Sequence, residues 1–339
     1  MGRGDRKGAT VTFEHASKYY GASPGPSPAV DDLSLQVEPG EVCVLVGPSG
    51  CGKTTSLKMV NRLVEPSSGR VLIDGTDVAA VDAVSLRRSV GYVIQQVGLF
   101  PHQTVAENVG TVPKLLGWPR ARINARIDEL MDLVGLDPDQ MRNRYPAQLS
   151  GGERQRVGLA RAMAAEPPVM LMDEPFAAVD PLVRERLQDE LLRIQRQLGT
   201  TVLFVTHDIN EALKMGTRVA VMEQGGHLAQ YSPPAEILAR PATEYVARFV
   251  GADRALKSLA LRTLGQMDLE ARRGSAEIQD QSISLGADQT VRDALSALLA
   301  AGRAEGPVFG SDGRFLGFFT LDALVKSFVR EPESSGNST

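Results

Sequence analysis

Short apolar runs and longer amphipathic stretches alternate along the first 250 residues. The runs at 42–46, 169–172 and 202–205 are apolar at every position, as expected of parallel strands that are buried on both faces. Residues 54–63 and 181–198 instead carry apolar side chains at the three- and four-residue steps that are typical of helices. Strands that alternate with helices predict an α/β fold, in which helices cover a parallel sheet.

Other short strands depart from this parallel pattern. Residues 11–13 and 32–37 are predicted strands, and a hairpin at 71–73 turns through Asp-Gly. Residues 219–222 and 227–231 form two more strands around a Gln-Gly-Gly turn. These segments predict an antiparallel β subdomain beside the parallel core.

A helical stretch and a smaller C-terminal unit complete the predicted organisation. Helical spacing dominates 104–165, which we assign to a helical subdomain over about 100–165. The composition loosens beyond Gly251, so we expect a boundary near residue 252. A helix, a strand, a turn, a second strand and a second helix then follow over about 290–327. A chain of 339 residues is long enough for one large domain and one small domain.

Composition and charge narrow the functional classes. Hydrophobic residues make up 42% of the chain and charged residues 23%, which is ordinary for a soluble globular protein. The net charge of -4 is spread without long like-charge runs, so we expect no nucleic-acid partner. Cys43 and Cys51 are the only cysteines, which leaves neither a disulfide framework nor a zinc cluster and fits a reducing cytoplasm.

The sequence predicts neither a signal peptide nor a membrane span. Residues 1–10 are polar and read as a flexible tail, and no apolar run approaches the roughly 18 residues that a spanning helix needs. Any role at a membrane would therefore depend on partner proteins.

The glycine-rich segment 47–54 carries the strongest chemical signal. It fits the pattern G-x-x-x-x-G-K-[ST] and lies between a buried strand and a helix, which is the context that such a phosphate-binding loop requires. Glycines let the backbone wrap around phosphate oxygens, Lys53 reaches the outer phosphates, and the Thr54 hydroxyl ligates Mg²⁺. The predicted ATP-binding residues here are Gly47, Pro48, Ser49, Gly50, Cys51, Gly52, Lys53, Thr54 and Thr55.

Two carboxylates follow the buried strand at 169–172. Asp173 and Glu174 come at its carboxyl end, where open α/β sheets place their ligand crevice. We expect Asp173 to support Mg²⁺ through water and Glu174 to polarise the water that attacks the γ-phosphate.

Residues 149–155 read Leu-Ser-Gly-Gly-Glu-Arg-Gln and resemble the signature sequence of ABC ATPases. A serine and two glycines at a helix start offer hydroxyl and N–H donors to a γ-phosphate. The signature residues are Leu149, Ser150, Gly151, Gly152 and Glu153. The resemblance covers about residues 11–250, which would form the ABC ATPase domain with a RecA-like core.

The resemblance implies roles for four further residues. Gln95 matches the lid glutamine, which touches Mg²⁺ and the attacking water, although Gln96 stands beside it. His207 matches the switch histidine at the γ-phosphate. Asp180 matches the loop that communicates between two sites. Tyr20 matches the aromatic that stacks on adenine, and Tyr19 leaves its register open.

In ABC ATPases, one subunit's signature faces another subunit's phosphate loop. The resemblance therefore implies a homodimer that sandwiches two ATP molecules and pulls on transmembrane permease subunits. Residues 61–63, 90–105 and 172–176 are similar to ATPase subunits of bacterial importers for glycine betaine, choline, carnitine and related osmoprotectants. Such a subunit would sit on the cytoplasmic face of the inner membrane and serve an extracytoplasmic substrate-binding protein through the permease.

The C-terminal region is similar to a CBS module. The expected division is a linker over 251–281, a CBS-like module over 282–330 and a flexible tail over 331–339. Only one copy is visible, so two tails would pair across the dimer. Ala323 stands where many adenosine-binding copies have an acidic residue, and the choice between nucleotide sensing and simple dimerisation stays open.

Two other readings remain open. A soluble ABC ATPase acting on ribosomes or in DNA repair typically has two cassettes or a long coiled-coil insert, and the sequence predicts neither. An exporter ATPase is disfavoured by the Leu-Phe-Pro-His run at 99–102 and by the CBS-like tail. Substrate identity is not encoded in this chain, since the solute touches only the binding protein and the membrane subunits.

Overall fold

A computed structural model describes residues 8–21, 28–94, 98–177, 179–270 and 283–329. Contacts within the chain define two compact units, divided between Phe249 and Val250. Among the described residues, no helix combines the length and the apolar character needed to cross a membrane.

The N-terminal unit contains ten strands and eleven α-helices in the part of the chain that is described. The strands are β1 (Val11–Lys18), β2 (Val30–Val37), β3 (Val42–Val46), β4 (Ser68–Ile73), β5 (Thr76–Asp77), β6 (Val90–Val93), β7 (Val169–Asp173), β8 (Thr201–Thr206), β9 (Arg218–Glu223) and β10 (His227–Ser232). The helices are α1 (Lys53–Val60), α2 (Ala83–Ser89), α3 (Val105–Val109), α4 (Thr111–Leu115), α5 (Arg120–Leu133), α6 (Pro138–Met141), α7 (Gly151–Met163), α8 (Pro181–Leu198), α9 (Ile209–Met215), α10 (Pro234–Ala239) and α11 (Glu244–Val250).

A six-stranded sheet forms the centre of this unit. Its order is β10-β9-β3-β8-β7-β6, and every neighbouring pair is parallel except β9 with β10. All five residues of β3 are buried, as its uninterrupted apolar run predicts. The predicted parallel core is confirmed, and the carboxyl ends of β3, β7 and β8 come together at one edge of the sheet.

A second sheet is antiparallel, with the order β2-β1-β4-β5. Strand β1 extends to Lys18 through register shifts, so it is longer than the strand predicted at 11–13. The β4–β5 turn lies at the predicted Asp74-Gly75, where both residues have positive φ. Phe13, Leu33 and Leu45 share one buried cluster, so the two sheets have a common core.

The predicted helical stretch at 104–165 is present as α3 to α7. Helix α3 begins with a capping box in which the Thr104 hydroxyl accepts the Glu107 N–H and the Glu107 carboxylate accepts the Thr104 N–H. The sequence pattern did not identify β6 or α2. Strand β6 is only four residues long and contains Gly91, which weakens the strand signal.

The C-terminal unit is built on a three-stranded sheet with the order β11-β12-β13. Its elements are α12 (Arg254–Ser258), β11 (Leu285–Gly286), α13 (Val291–Ala300), β12 (Glu305–Phe309), β13 (Phe315–Thr320) and α14 (Leu321–Val329). Leu285, Leu298 and Phe319 lie in its core.

The prediction of a linker over 251–281 is wrong for the residues up to about 267. Helix α12 lies within this range, and Leu259, Leu264 and Met267 are buried in the core of the C-terminal unit. These side chains lie in and after a five-residue helix and a three-residue 3₁₀ turn, which are too short to display the periodicity of longer elements. Residues 271–282 of the expected linker lie outside the described part of the chain.

Candidate functional site

The loop between β3 and α1 is so tightly packed that two of its glycines cannot be replaced without a clash. A Cβ atom on Gly52 would lie 2.1 Å from the Ala29 carbonyl oxygen, and Gly52 has a φ of +95°. A Cβ atom on Gly47 would lie 2.3 Å from the Met222 carbonyl oxygen. The fold therefore requires glycine at both ends of the predicted phosphate loop.

Lys53 lies inside the curl of this loop. Its side chain is buried, and its Nζ donates hydrogen bonds of 2.8 Å to the Gly47 carbonyl and 2.9 Å to the Pro48 carbonyl. A buried ammonium group held by backbone carbonyls is already oriented toward the space that a phosphate-binding loop encloses.

The remaining loop residues take different positions. Ser49 and Gly50 are exposed, Pro48 and Thr55 are half-buried, and Cys51 is buried with its Sγ 3.8 Å from the Lys53 Nζ. Burial raises the pKa of the Cys51 thiol, although the neighbouring Lys53 opposes the rise. The thiol is therefore a packing group in this loop.

Thr54 and Asp173 meet at the carboxyl edge of the parallel sheet. The Thr54 hydroxyl donates a 2.9 Å hydrogen bond to the Asp173 Oδ1. Burial raises the pKa of the Asp173 carboxyl, while the hydrogen bond from Thr54 lowers it. A hydroxyl and a carboxylate side by side beside a phosphate loop form the oxygen donor set that Mg²⁺ prefers, so these residues fit the predicted metal.

Glu174 and His207 form a second pair at this edge. The Glu174 N–H donates to the Val205 carbonyl at 3.0 Å, and its φ of +45° turns the chain sharply as it leaves β7. The Glu174 Oε2 lies 3.3 Å from the His207 Nδ1. The structure thus places the carboxylate that was predicted to polarise the attacking water beside the histidine that was predicted to contact the γ-phosphate.

A cavity of about 420 Å³ lies beside the phosphate loop. It is lined by Tyr20, Pro28, Ala29, Gly50, Gln224, Gly225 and His227. Tyr20 exposes 59% of its surface, and the Lys18 Nζ lies 5.4 Å from its ring centroid. The Tyr19 backbone N–H instead donates to the Ser67 Oγ at 3.1 Å, and Tyr19 does not line this cavity. The cavity therefore favours Tyr20 over Tyr19 as the residue beside a nucleotide base.

The predicted signature residues lie at the start of a different helix, α7. The Ser150 Oγ accepts the Glu153 N–H at 3.3 Å, and the Glu153 Oε2 accepts the Ser150 N–H at 2.7 Å. These hydrogen bonds hold the pKa of the Glu153 carboxyl below its usual range. Leu149 is buried, whereas Ser150 and Gly151 are exposed and Gly152 is half-buried. The helix start is rigidly capped and faces outward.

The last two predicted residues have different outcomes. The Asp180 carbonyl accepts the Arg184 N–H at 2.8 Å in the first turn of α8, and its side chain is exposed. Gln95 lies outside the described residues, as does Gln96.

Three side chains that support the site were missed by sequence reasoning. The Gln224 Nε2 donates to the Ser49 carbonyl at 3.1 Å, and the Tyr245 hydroxyl donates to the Met222 carbonyl at 3.1 Å. Both come from distant parts of the chain, so no local pattern points to them. Glu211 is buried on α9. Its spacing of four residues from the apolar Met215, which places both on one helix face, was the only sign of this burial in the sequence.

Comparisons with known proteins are consistent with this geometry. A family model described as ABC transporter matches residues 30–177. The osmoprotectant import ATP-binding protein OsmV of Salmonella typhimurium is 54% identical over 258 residues, which cover 76% of this chain and 67% of that protein. The glycine betaine uptake system ATP-binding protein YehX of Escherichia coli is 46% identical over 316 residues, which cover 93% of this chain and 99% of that protein.

The fold is also similar to solved structures. The dimeric ATP-binding cassette MJ0796 bound to ADP and Pi matches with a TM-score of 0.59 and 33% identity, over 66% of this chain and 98% of that one. CbiO1 from Clostridium perfringens, part of the ABC transporter complex cbiONQ, matches with a TM-score of 0.64 and 26% identity. The match covers 75% of this chain and 96% of that one.

Proposed function

The chain belongs to the ABC transporter family as an ATP-binding subunit, and from this we propose that it powers import of a quaternary amine or betaine-type osmoprotectant. Glycine betaine, choline and carnitine are the substrates that we expect. The observation that carries the proposal is the 46% identity to a glycine betaine uptake protein over 99% of that protein's length. The 54% identity to an osmoprotectant import protein points the same way.

The enzyme is an ABC-type ATPase, and its residues divide the work of hydrolysis. Lys53 and the loop N–H groups would hold the phosphates of ATP, and Tyr20 would stack on the adenine. Glu174 would polarise the attacking water, and His207, 3.3 Å from it, would hold that carboxylate and contact the γ-phosphate. Gln95 would help to position the same water.

Thr54 and Asp173 would hold Mg²⁺, with Gln95 as a further ligand. The Thr54 Oγ1 and the Asp173 Oδ1 lie 2.9 Å apart beside the loop that encloses Lys53, which supports the assignment of these two residues. The metal would supply positive charge that screens the phosphate oxygens during hydrolysis.

We propose that the active form is a homodimer in which Ser150 and Gly151 contact the ATP that is bound to the partner's phosphate loop. The support is physical: among the described residues, no heavy atom lies within 4 Å of a Cβ atom built on Gly151, apart from its chain neighbours and its own helix backbone. Gly151 is the first residue of α7, where alanine would also fit the helix, so glycine here without a packing reason among the described residues favours a role outside the chain. Asp180 would communicate between the two sites.

Transmembrane permease subunits are the proposed partners, with an extracytoplasmic substrate-binding protein acting through them. The chain would then lie peripherally on the cytoplasmic face of a bacterial membrane. Phe100, Leu115 and Leu116 are 41% to 54% exposed, and they offer apolar surface for a protein contact.

For the C-terminal residues 282–330 we propose a CBS-like module that pairs with its copy in the dimer. The Thr320 hydroxyl accepts the Ala323 N–H at 2.9 Å, so it already serves as a helix cap. This use of Thr320 favours dimerisation over adenosine binding.

Transport by the reconstituted complex tests the proposed function. Proteoliposomes containing this chain and its permease, with the binding protein added, should take up labelled glycine betaine, choline or carnitine in an ATP-dependent manner. The Glu174→Gln complex is the control, and it should not transport. Failure to copurify with any permease would refute the importer assignment.

A second candidate is import of a different solute. The spermidine/putrescine import ATP-binding protein PotA of Thermobifida fusca is 44% identical over 253 residues. Polyamines therefore belong in the same uptake panel, and their uptake without any quaternary amine would replace the first candidate.

A further inference from the structure

Glu211 is a buried carboxylate that the proposed chemistry does not use. It lies on α9 and is 8% exposed, and Ala212, Leu213 and Met215 of the same helix are also buried. Burial raises the pKa of its carboxyl, and hydrogen bonds from Thr206 and Gln188 oppose the rise. A buried acid is costly unless it is well hydrogen-bonded, so its partners indicate what it stabilises.

The partners of Glu211 come from two other elements. The Gln188 Nε2 on α8 donates to the Glu211 Oε1 at 2.9 Å. A side-chain hydrogen bond with Thr206, at the end of β8, lowers the pKa of the same carboxyl. Gln188 and Thr206 are themselves 6% and 2% exposed. One carboxylate therefore joins α8, β8 and α9 in a water-poor environment.

This arrangement fixes the backbone on both sides of His207. Thr206 is held by Glu211, and the Thr206 Oγ1 accepts the Asp208 N–H at 3.1 Å. The Asp208 carboxylate caps α9 by accepting the N–H groups of Asn210 at 2.8 Å and Glu211 at 3.4 Å. His207 lies between these anchored neighbours, and its imidazole is exposed and close to Glu174.

The same carboxylate connects this segment to the loop at Asp180. Gln188 lies two turns into α8, which begins directly after that loop. The Arg184 Nη2 donates to the Val179 carbonyl at 3.1 Å, and the positive charge of Arg184 acts on Glu211. A movement of α8 is therefore coupled through Gln188 and Glu211 to the position of His207.

We propose that Glu211 is a positioning residue that holds His207 against Glu174 and ties its position to α8. The inference rests on the proposed role of His207 in hydrolysis. Glu211 would touch neither the nucleotide nor the attacking water; it would act through Thr206 and Asp208.

A double-mutant cycle on the full-length dimer tests this inference. Glu211→Ala should lower kcat by about 10- to 100-fold, with little change in KM for ATP, because the reacting groups are displaced while the phosphate loop is intact. In a His207→Ala background, measured by single-turnover hydrolysis of labelled ATP, Glu211→Ala should cause no further loss. An equal loss in both backgrounds would assign Glu211 to general stability and overturn the proposal.

A paired exchange provides a second test if Glu211→Ala does not fold. Gln188→Glu combined with Glu211→Gln reverses the donor and the acceptor, and it should restore kcat to within about threefold of wild type. Gln188→Glu alone places two carboxylates together and should lose most activity. If the exchange is as inactive as the single change, the hydrogen bond is not what matters and the proposal fails.

Loss of ATP hydrolysis and loss of His207 positioning give different results. Wild-type protein without ATP hydrolysis would overturn the proposed function itself. Active wild-type protein in which Glu174→Gln abolishes turnover, but Glu211→Ala changes nothing, would overturn only the positioning role.

Discussion

Two helices of this protein begin with glycine-rich segments, and their surroundings are opposite. The segment before α1 is enclosed: Cβ atoms on Gly47 and Gly52 would each collide with a backbone carbonyl of the same chain. The segment at the start of α7 is open: within the described part of the chain, a Cβ atom on Gly151 meets nothing within 4 Å beyond its own helix, and one on Gly152 meets only Val183, at 3.4 Å.

This difference indicates that glycine stands in the two segments for different reasons. At the phosphate loop, the fold itself forbids a side chain, because the backbone must wrap closely against its neighbours. At α7, the described residues of the chain offer no such reason, and glycine there weakens the helix. We infer that the first segment is complete within one chain and that the second is shaped for the ATP of a partner.

The largest effect is expected from Gly52→Ala. Its Cβ would lie 2.1 Å from the Ala29 carbonyl, so the variant should lose ATP binding and at least about 2 kcal/mol of unfolding free energy. Thermal denaturation and ATP titration would measure both. Gly50→Ala is the matched control, since Gly50 also has a positive φ but an open surrounding, and its cost should be smaller. Equal stability of the Gly52 variant and wild type would contradict the enclosed character of this loop.

Glu174→Gln should bring the two helix starts together and hold them there. Turnover should fall by about 10²- to 10⁴-fold, because the carboxylate proposed to polarise the attacking water is lost while the phosphate loop is unchanged. Size-exclusion chromatography with ATP should then show a nucleotide-bound dimer. Normal hydrolysis by this variant would refute the role of Glu174.

Gly151→Ala should separate stability from activity. The protein should keep its stability or gain less than about 0.5 kcal/mol, since alanine is a better helix former and has room here, but Gly151 is only the first residue of α7. Hydrolysis should nevertheless fall by about tenfold or more, because the added methyl group would stand where the partner's phosphates bind. Full activity in this variant would remove the physical argument for a contact between subunits.

A smaller, pH-dependent effect is expected at the α7 cap. Hydrogen bonds from Ser150 lower the pKa of the Glu153 carboxyl in the folded state, so they stabilise the protein above the usual carboxyl range and lose that contribution as the pH falls. Chemical denaturation should find wild type more stable than Glu153→Gln at pH 7, and the gap should narrow below about pH 4. A gap that is independent of pH would mean that the charge of Glu153 does not stabilise the cap.

Sequence reasoning succeeded where the physical requirement is local. Uninterrupted apolar runs identified β3, β7 and β8, and the spacing of 47–54 identified a loop whose glycines the fold does require. The pairing of Thr54 with Asp173 could be anticipated because both follow parallel strands of one sheet.

Features that depend on distant contacts could not be predicted. Gln188 and Glu211 are 23 residues apart on separate helices, and only the packing of α8 against α9 brings them to 2.9 Å. The burial of Leu264 in the C-terminal core likewise depends on tertiary contacts, since its 3₁₀ turn carries no periodic signal.

Complementation between two inactive chains tests the shared site most directly. A Lys53→Ala chain and a Gly151→Asp chain, each with its own affinity tag, are coexpressed and purified through both tags. If each site combines one chain's phosphate loop with the other chain's α7, every mixed dimer has one intact site and should hydrolyse ATP at about half the wild-type rate. If mixed dimers are as inactive as either variant alone, the phosphate loop of one chain and α7 of the other do not form a shared site.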